Sequence, residues 1–149
     1  MRTNSFEETI ALGEKIGTYL RPGMCLLLEG DLASGKTTFT KGIGKALHIH
    51  KPISSPTFTI LKIYHGDLDL YHIDAYRLEG NDYDLGFDEY MSEGVTVIEW
   101  PQYYEDHLPK EYLKISFEYI DDDTREISFS YQGEMYRELY EKVTGESHD

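Results

Sequence analysis

The stretch Gly30-Asp31-Leu32-Ala33-Ser34-Gly35-Lys36-Thr37-Thr38 sets two glycines five positions apart and follows the second with a lysine and two hydroxyl residues. That is the spacing of a phosphate-cradling loop. The glycines permit a tight turn, so that successive backbone N–H groups, those around Ala33, Ser34 and Gly35 included, aim inward at a polyphosphate. Lys36 has the reach for the outer phosphates, and the Thr37 hydroxyl can ligate a Mg²⁺ bridging them. A helix opening here adds the positive end of its dipole, equivalent to roughly half a charge.

Cleaving a polyphosphate also requires a carboxylate to hold the cation and a group to position the attacking oxygen. Carboxylates at the C-terminal ends of sheet strands face the crevice that such a loop borders. Asp74, after Leu68–Ile73, and Glu99, after Val95–Ile98, meet that description. Arg77 can pair with a phosphate or with an acid, and the sequence does not choose. Asp121-Asp122-Asp123 reads as a solvated turn. His48 and His50 have no Cys or further His at zinc spacing, so metal binding there is not expected. No Asn-Lys-x-Asp guanine signature occurs, since the only asparagines are Asn4 and Asn81, and adenine is favoured.

The elements that would hold these groups follow from hydrophobic spacing. Ser5 and Glu8 form a capping-box pattern opening a helix with Phe6, Ile10, Ile16 and Leu20 on its apolar side, ended by Arg21-Pro22-Gly23. Cys25–Leu28 reads as a buried strand. The helix after the phosphate loop carries Phe39, Ile43, Ala46 and Leu47 on one side, and its Gly42 and Gly44 suggest close packing on a sheet. Beyond a connector at His48–Ser55, Thr57–Tyr64 and Leu68–Ile73 form a hairpin about His65-Gly66-Asp67. Leu78–Gly94 reads as loop with a short helix around Leu85–Met91. Val95–Ile98 is a strand, and Trp100, preceding Pro101, is expected to be extended. Tyr103–Leu108 is a short helical turn. Leu113–Ile120 and Glu126–Tyr131 are strands flanking the acidic turn, and a last helix after Gly133 presents Tyr136, Leu139, Tyr140 and Val143. The tail, residues 144–149, is expected to fray.

Composition bounds the rest. The 149 residues suit a single α/β domain, 1–149, with a core that needs no disulfide, since Cys25 is the only cysteine. With 28 acidic against 14 basic residues the net charge is −14, which disfavours direct binding of RNA or DNA. Lys36, Lys41 and Lys45 are expected to form a local positive patch in that negative field. Thirteen tyrosines against one tryptophan suggest an interface as well as strands. The first residues lack a signal-peptide core and no segment approaches a membrane span, so a cytoplasmic protein without membrane attachment is expected.

Four segments in order, Gly30–Thr38, Ser55-Pro56-Thr57-Phe58-Thr59, His72-Ile73-Asp74-Ala75-Tyr76-Arg77-Leu78 and Ile98-Glu99-Trp100-Pro101, resemble the TsaE family, small bacterial ATPases needed for threonylcarbamoyladenosine modification of tRNA. The set spans about two thirds of the chain. Ala33-Ser34 stands where the family commonly has Gly-Ala, and Ala75 where Leu is usual, and neither change touches the glycines, Lys36 or Thr37. The resemblance implies a P-loop NTPase fold: a central mixed sheet with an inserted hairpin and flanking helices. It implies slow Mg²⁺-dependent ATP hydrolysis, with ATP and ADP as ligands, that becomes productive with the TsaD and TsaB proteins, tRNA being bound through the partner. It implies that Thr37 and Glu99 hold Mg²⁺ and that Asp74 supports the metal or the attacking water. It further implies that Ser55, Thr57 and Thr59 belong to a nucleotide-responsive switch, that Trp100 lies by the site, and that Thr9 and Arg125 border the adenine.

Two other readings of the same loop stay open. A small-molecule kinase would ordinarily add an arginine-rich lid, whereas Arg2, Arg21, Arg77, Arg125 and Arg137 are scattered. An acidic interaction module would bind nucleotide only for stability.

Overall fold

Apolar residues alternating with period two build the sheet, each strand supplying one layer to either face. The computed structural model describes residues 1–31, 33–54, 60–78 and 91–145. Seven strands are described: β1 (Arg2–Thr3), β2 (Cys25–Glu29), β3 (Leu61–Tyr64), β4 (Leu70–Asp74), β5 (Val95–Glu99), β6 (Tyr112–Tyr119) and β7 (Arg125–Gln132). They form one sheet in the order β1-β7-β6-β2-β5-β4-β3. The four central strands are parallel, and β3, β7 and β1 add antiparallel edges. The mixed sheet and its β3–β4 hairpin match the expectation.

Three helices, α1 (Phe6–Gly17), α2 (Lys36–Ala46) and α3 (Glu134–Thr144), share one large core with Leu26, Leu28, Val95, Val97, Leu113, Ile115 and Ile127. The alternate residues Cys25, Leu27, Ile73 and Ile98 make a smaller core on the opposite face, with Ala75, Leu78 and Tyr104 from 3₁₀ turns over Ala75–Leu78 and Pro101–His107. Parity therefore decides which side each strand-end acid occupies. Asp74 shares its face with Leu70, and Glu99 shares its face with Val95 and Val97, so both belong to the helix side.

Several elements differ from expectation. Helix α1 ends at Gly17, ahead of Arg21-Pro22-Gly23, because two tighter turns, Tyr19 N–H to Ile16 O and Leu20 N–H to Gly17 O, replace its last helical stretch. Phe6 lies off the core and is exposed. Gly42 does not meet the sheet: a Cβ there would stand 2.0 Å from Ile10 O of α1, and one on Gly13 would stand 2.1 Å from Phe39 O of α2. These glycines let two helix backbones touch, which explains residues of poor helix propensity in mid-helix. Gly44 packs on Ile53. The described strand begins at Leu61, and Thr57 and Thr59 lie outside the described residues, as do Ser55, most of the helix expected at 85–91 and the tail beyond 145. The short strand at Arg2–Thr3 was not anticipated, since two residues carry no periodicity.

Candidate functional site

Gly35 stands at the N-cap of helix α2, its φ of 109° open to glycine at little cost, and no side chain caps the helix's first N–H groups. Ala33 is also left-handed, with φ of 62°. The loop thus stores strain of about 1 kcal/mol or more at a non-glycine position, while the Ser34 N–H closes a turn onto Asp31 O at 3.1 Å. Arg125 braces it from the far side. Antiparallel pairing sets Arg125, at the start of β7, opposite Tyr119 at the end of β6. Its guanidinium lies over the Tyr119 ring at 4.7 Å and donates to Ala33 O at 3.1 Å, Asp121 O at 2.5 Å and Thr124 O at 3.0 Å.

Lys36, 5% exposed, donates to Gly30 O at 2.6 Å, lies 3.8 Å from Glu99 Oε1 and sits 3.9 Å above the Trp100 ring. Burial lowers its pKa, and the carboxylates of Glu99, Asp74 and Asp31 act against that shift. Asp74 and Glu99 are register partners on adjacent parallel strands, and Leu28, at the end of the strand feeding the loop, is also paired with Glu99. Glu99 is 4% exposed, and its Oε2 lies 2.5 Å from His72 Nε2. Asp74 accepts the Tyr76 N–H at 3.0 Å.

These groups line one cleft of about 380 Å³ bounded by Ala33 to Thr38, Asp74, Glu99, Trp100, Arg125 and Phe6. Of the residues singled out from sequence, the structure brings together the loop, Lys36, Thr37, Thr38, Asp74, Glu99, Trp100 and Arg125. Gly30 contributes its carbonyl to Lys36. Thr9 does not line the cleft; its hydroxyl is bonded with that of Thr3 at 2.7 Å and reaches Ser5 O at 3.3 Å. Lys36 is also apart from Lys41 and Lys45, which line a separate groove with His50 and Lys51, so the expected single basic patch is divided. Trp100 is not extended: its φ and ψ are 57° and 51°. That left-handed residue ends β5, with its N–H on Leu28 O at 3.3 Å, and sends the chain into the Pro101 turn with the indole over Lys36.

A polyphosphate with a divalent cation fits this residue set. Ser34 Oγ is buried without a partner among the described residues, and the first turn of α2 lacks both a side-chain cap and an acid. A hydroxyl on Thr37 and two carboxylates supply the hard oxygen donors that Mg²⁺ takes beside phosphate oxygens. Two residues escaped the sequence reading. Phe6, 53% exposed, rims the cleft, and the usable signal was an aromatic residue just after the Ser5 cap. His72 stands two residues before Asp74, so strand parity alone sets it on the same face.

Parallel strands feeding a glycine-bent loop into an uncapped helix, with acids at neighbouring strand ends, define a P-loop NTPase-like fold. The family model described as "Threonylcarbamoyl adenosine biosynthesis protein TsaE" matches residues 3–127. The chain belongs to the TsaE family. It is 46% identical to the tRNA threonylcarbamoyladenosine biosynthesis protein TsaE of Bacillus subtilis, covering 96% of this chain and 92% of that protein. The protein of the same name from Treponema pallidum is 41% identical, over 85% and 96% of the two chains. The crystal structure of Bacillus subtilis YdiB superposes with a TM-score of 0.81 at 41% identity, over 97% of this chain and 93% of that one. Among the described residues no helix is long and apolar enough to cross a membrane.

Proposed function

We propose that this chain is a Mg²⁺-dependent ATPase that serves threonylcarbamoyladenosine formation in tRNA as a nucleotide-driven switch on the transferase proteins TsaD and TsaB. The observation that carries the reading is the meeting in one cleft of the Gly35-Lys36-Thr37 turn with Asp74 and Glu99 from adjacent strand ends. In this reading the loop amides and Lys36 bind the phosphates, and a charge-compensating anion would relieve the cost of keeping Lys36 buried. Thr37 and Glu99 hold the magnesium, which when bound supplies Lewis-acid polarisation of the phosphates. Asp74 orients water for attack. Phe6 and Arg125 border the base.

The partner dependence has a physical form. Only a ligand that binds two states differently can shift a partner. The carbonyl of Ile60, which follows Ser55–Thr59 in the sequence, accepts the N–H of Asp74, one of the site's acids, at 2.8 Å. The acidity of the chain fits tRNA being handled by the partner.

ATP turnover measured alone, and with TsaD and TsaB added, tests the proposal. Hydrolysis should be slow alone and rise with both partners, and Lys36→Ala and Glu99→Ala should each lower it at least a hundredfold, the scale of losing one transition-state contact. Asp122→Ala, on the exposed turn, should leave it unchanged. Fast turnover alone would remove the switch, and loss of activity in Asp122→Ala would displace the site.

A further inference from the structure

We propose that His72 is a positioning residue that fixes the orientation of the Glu99 carboxylate toward the cation; this rests on the reading of Glu99 as a magnesium ligand. His72 is 0% exposed and belongs to β4, two residues before Asp74 and opposite Val97 in register. Glu99 is therefore its diagonal neighbour on the same face, within reach of a long side chain. A carboxylate offers only acceptors, so the 2.5 Å contact requires His72 Nε2–H to donate to Glu99 Oε2. The other oxygen, Oε1, is the one 3.8 Å from Lys36. The carboxylate is thereby held at one end by the imidazole with its second oxygen turned to the phosphate-binding lysine.

Packing alone does not account for the histidine. Its Nδ1 is buried with no partner among the described residues, and an unsatisfied buried polar atom is a net cost. A leucine would fill similar space in this strand without that cost. What the imidazole adds is the bond to Glu99. Without it, a nearly buried carboxylate would keep, among the described residues, only the more distant Lys36 and could rotate about its terminal bond.

The test compares His72→Gln with His72→Asn by calorimetric binding of ADP, with and without Mg²⁺. The Gln amide N–H can stand where Nε2 stands; the Asn amide is too short to reach Glu99. In the wild-type protein Mg²⁺ should tighten ADP binding. His72→Gln should keep most of that gain, and His72→Asn should lose about tenfold of it, within the range seen for removing a bond behind a metal ligand. Both should bind metal-free ADP within about twofold of wild type, a readout that mere loss of packing would not spare selectively. An unchanged Mg²⁺ gain in His72→Asn, or equal losses in both variants with and without the metal, overturns the proposal while leaving the ATP site standing. A wild-type protein that binds ADP with no Mg²⁺ gain overturns both, and the same series read by Mn²⁺ paramagnetic resonance separates a lost cation from a displaced one.

Discussion

At the cleft the side chains divide by what their partners require. Lys36, Glu99 and His72 are nearly buried and linked to one another, whereas Phe6 is a large apolar ring left in water beside the loop. Stacking an aromatic ring on a base is tolerant of base identity and worth about 1–3 kcal/mol. Phe6→Ala should therefore weaken ADP binding roughly tenfold and leave inorganic tripolyphosphate binding unchanged, both read by calorimetry. Equal loss for the two ligands would place Phe6 in the fold and away from the base. The loop, Asp74 and Glu99 were legible because their signals are local: a fixed spacing, and acids ending apolar strands. His72 and Phe6 were not, since their importance depends on strand register and on which side of α1 meets the loop. Trp100 misled for a related reason. The residue before proline avoids the α-helical region, and extended backbone is the usual alternative, but here a left-handed turn carries the indole over Lys36.

Between elements, α1 and α2 meet backbone to backbone through their glycines. The contacts of Gly13 with Phe39 and Gly42, and of Gly17 with Ile43 and Ala46, show that the helices run side by side in the same direction. Helix propensity alone would make Gly42→Ala stabilising by about 1 kcal/mol. The added methyl meets the Ile10 carbonyl and the Glu14 amide, which are backbone and cannot swing away, and overpacking costs about 1–3 kcal/mol or more. The clash should win. Thermal unfolding should show Gly42→Ala lowered by several degrees, at about 2–4 °C per kcal/mol for a chain of this size. A raised midpoint would mean that the helices part freely. Periodicity gave the existence of these helices and of most strands, but a glycine in a helix does not say which neighbour it admits. That is why sheet packing was expected where helix packing occurs.

Across the whole molecule, the buried acids of the core make stability depend on alkaline pH. Burial raises Cys25 from an ordinary 9.0 to about 12 and Tyr136 from 10.0 to about 12; the Tyr136 hydroxyl accepts the Cys25 N–H at 2.8 Å. In the unfolded chain these groups lose protons at their ordinary values, while the folded chain retains them. Their contribution is therefore fully present below pH 9, and it is lost as pH climbs from 9 toward 12, each group adding up to about 1.4 kcal/mol per pH unit. Denaturant melts between pH 8 and 11 should show that decline, and Cys25→Ala should have a shallower slope whatever its absolute stability. An unchanged slope would mean that the thiol titrates normally in the fold.

The parallel course of α1 and α2 has one more consequence. Two positive dipole ends open toward the same end of the molecule, but only α1 answers its own, with Ser5 accepting the Glu8 N–H and with Glu7 and Glu8 in its first turn. Its neighbour has neither cap nor acid there. The sequence has left one of a matched pair of helices electrically unfinished, so an anion arriving at that end would complete the architecture and add to the stability of the fold.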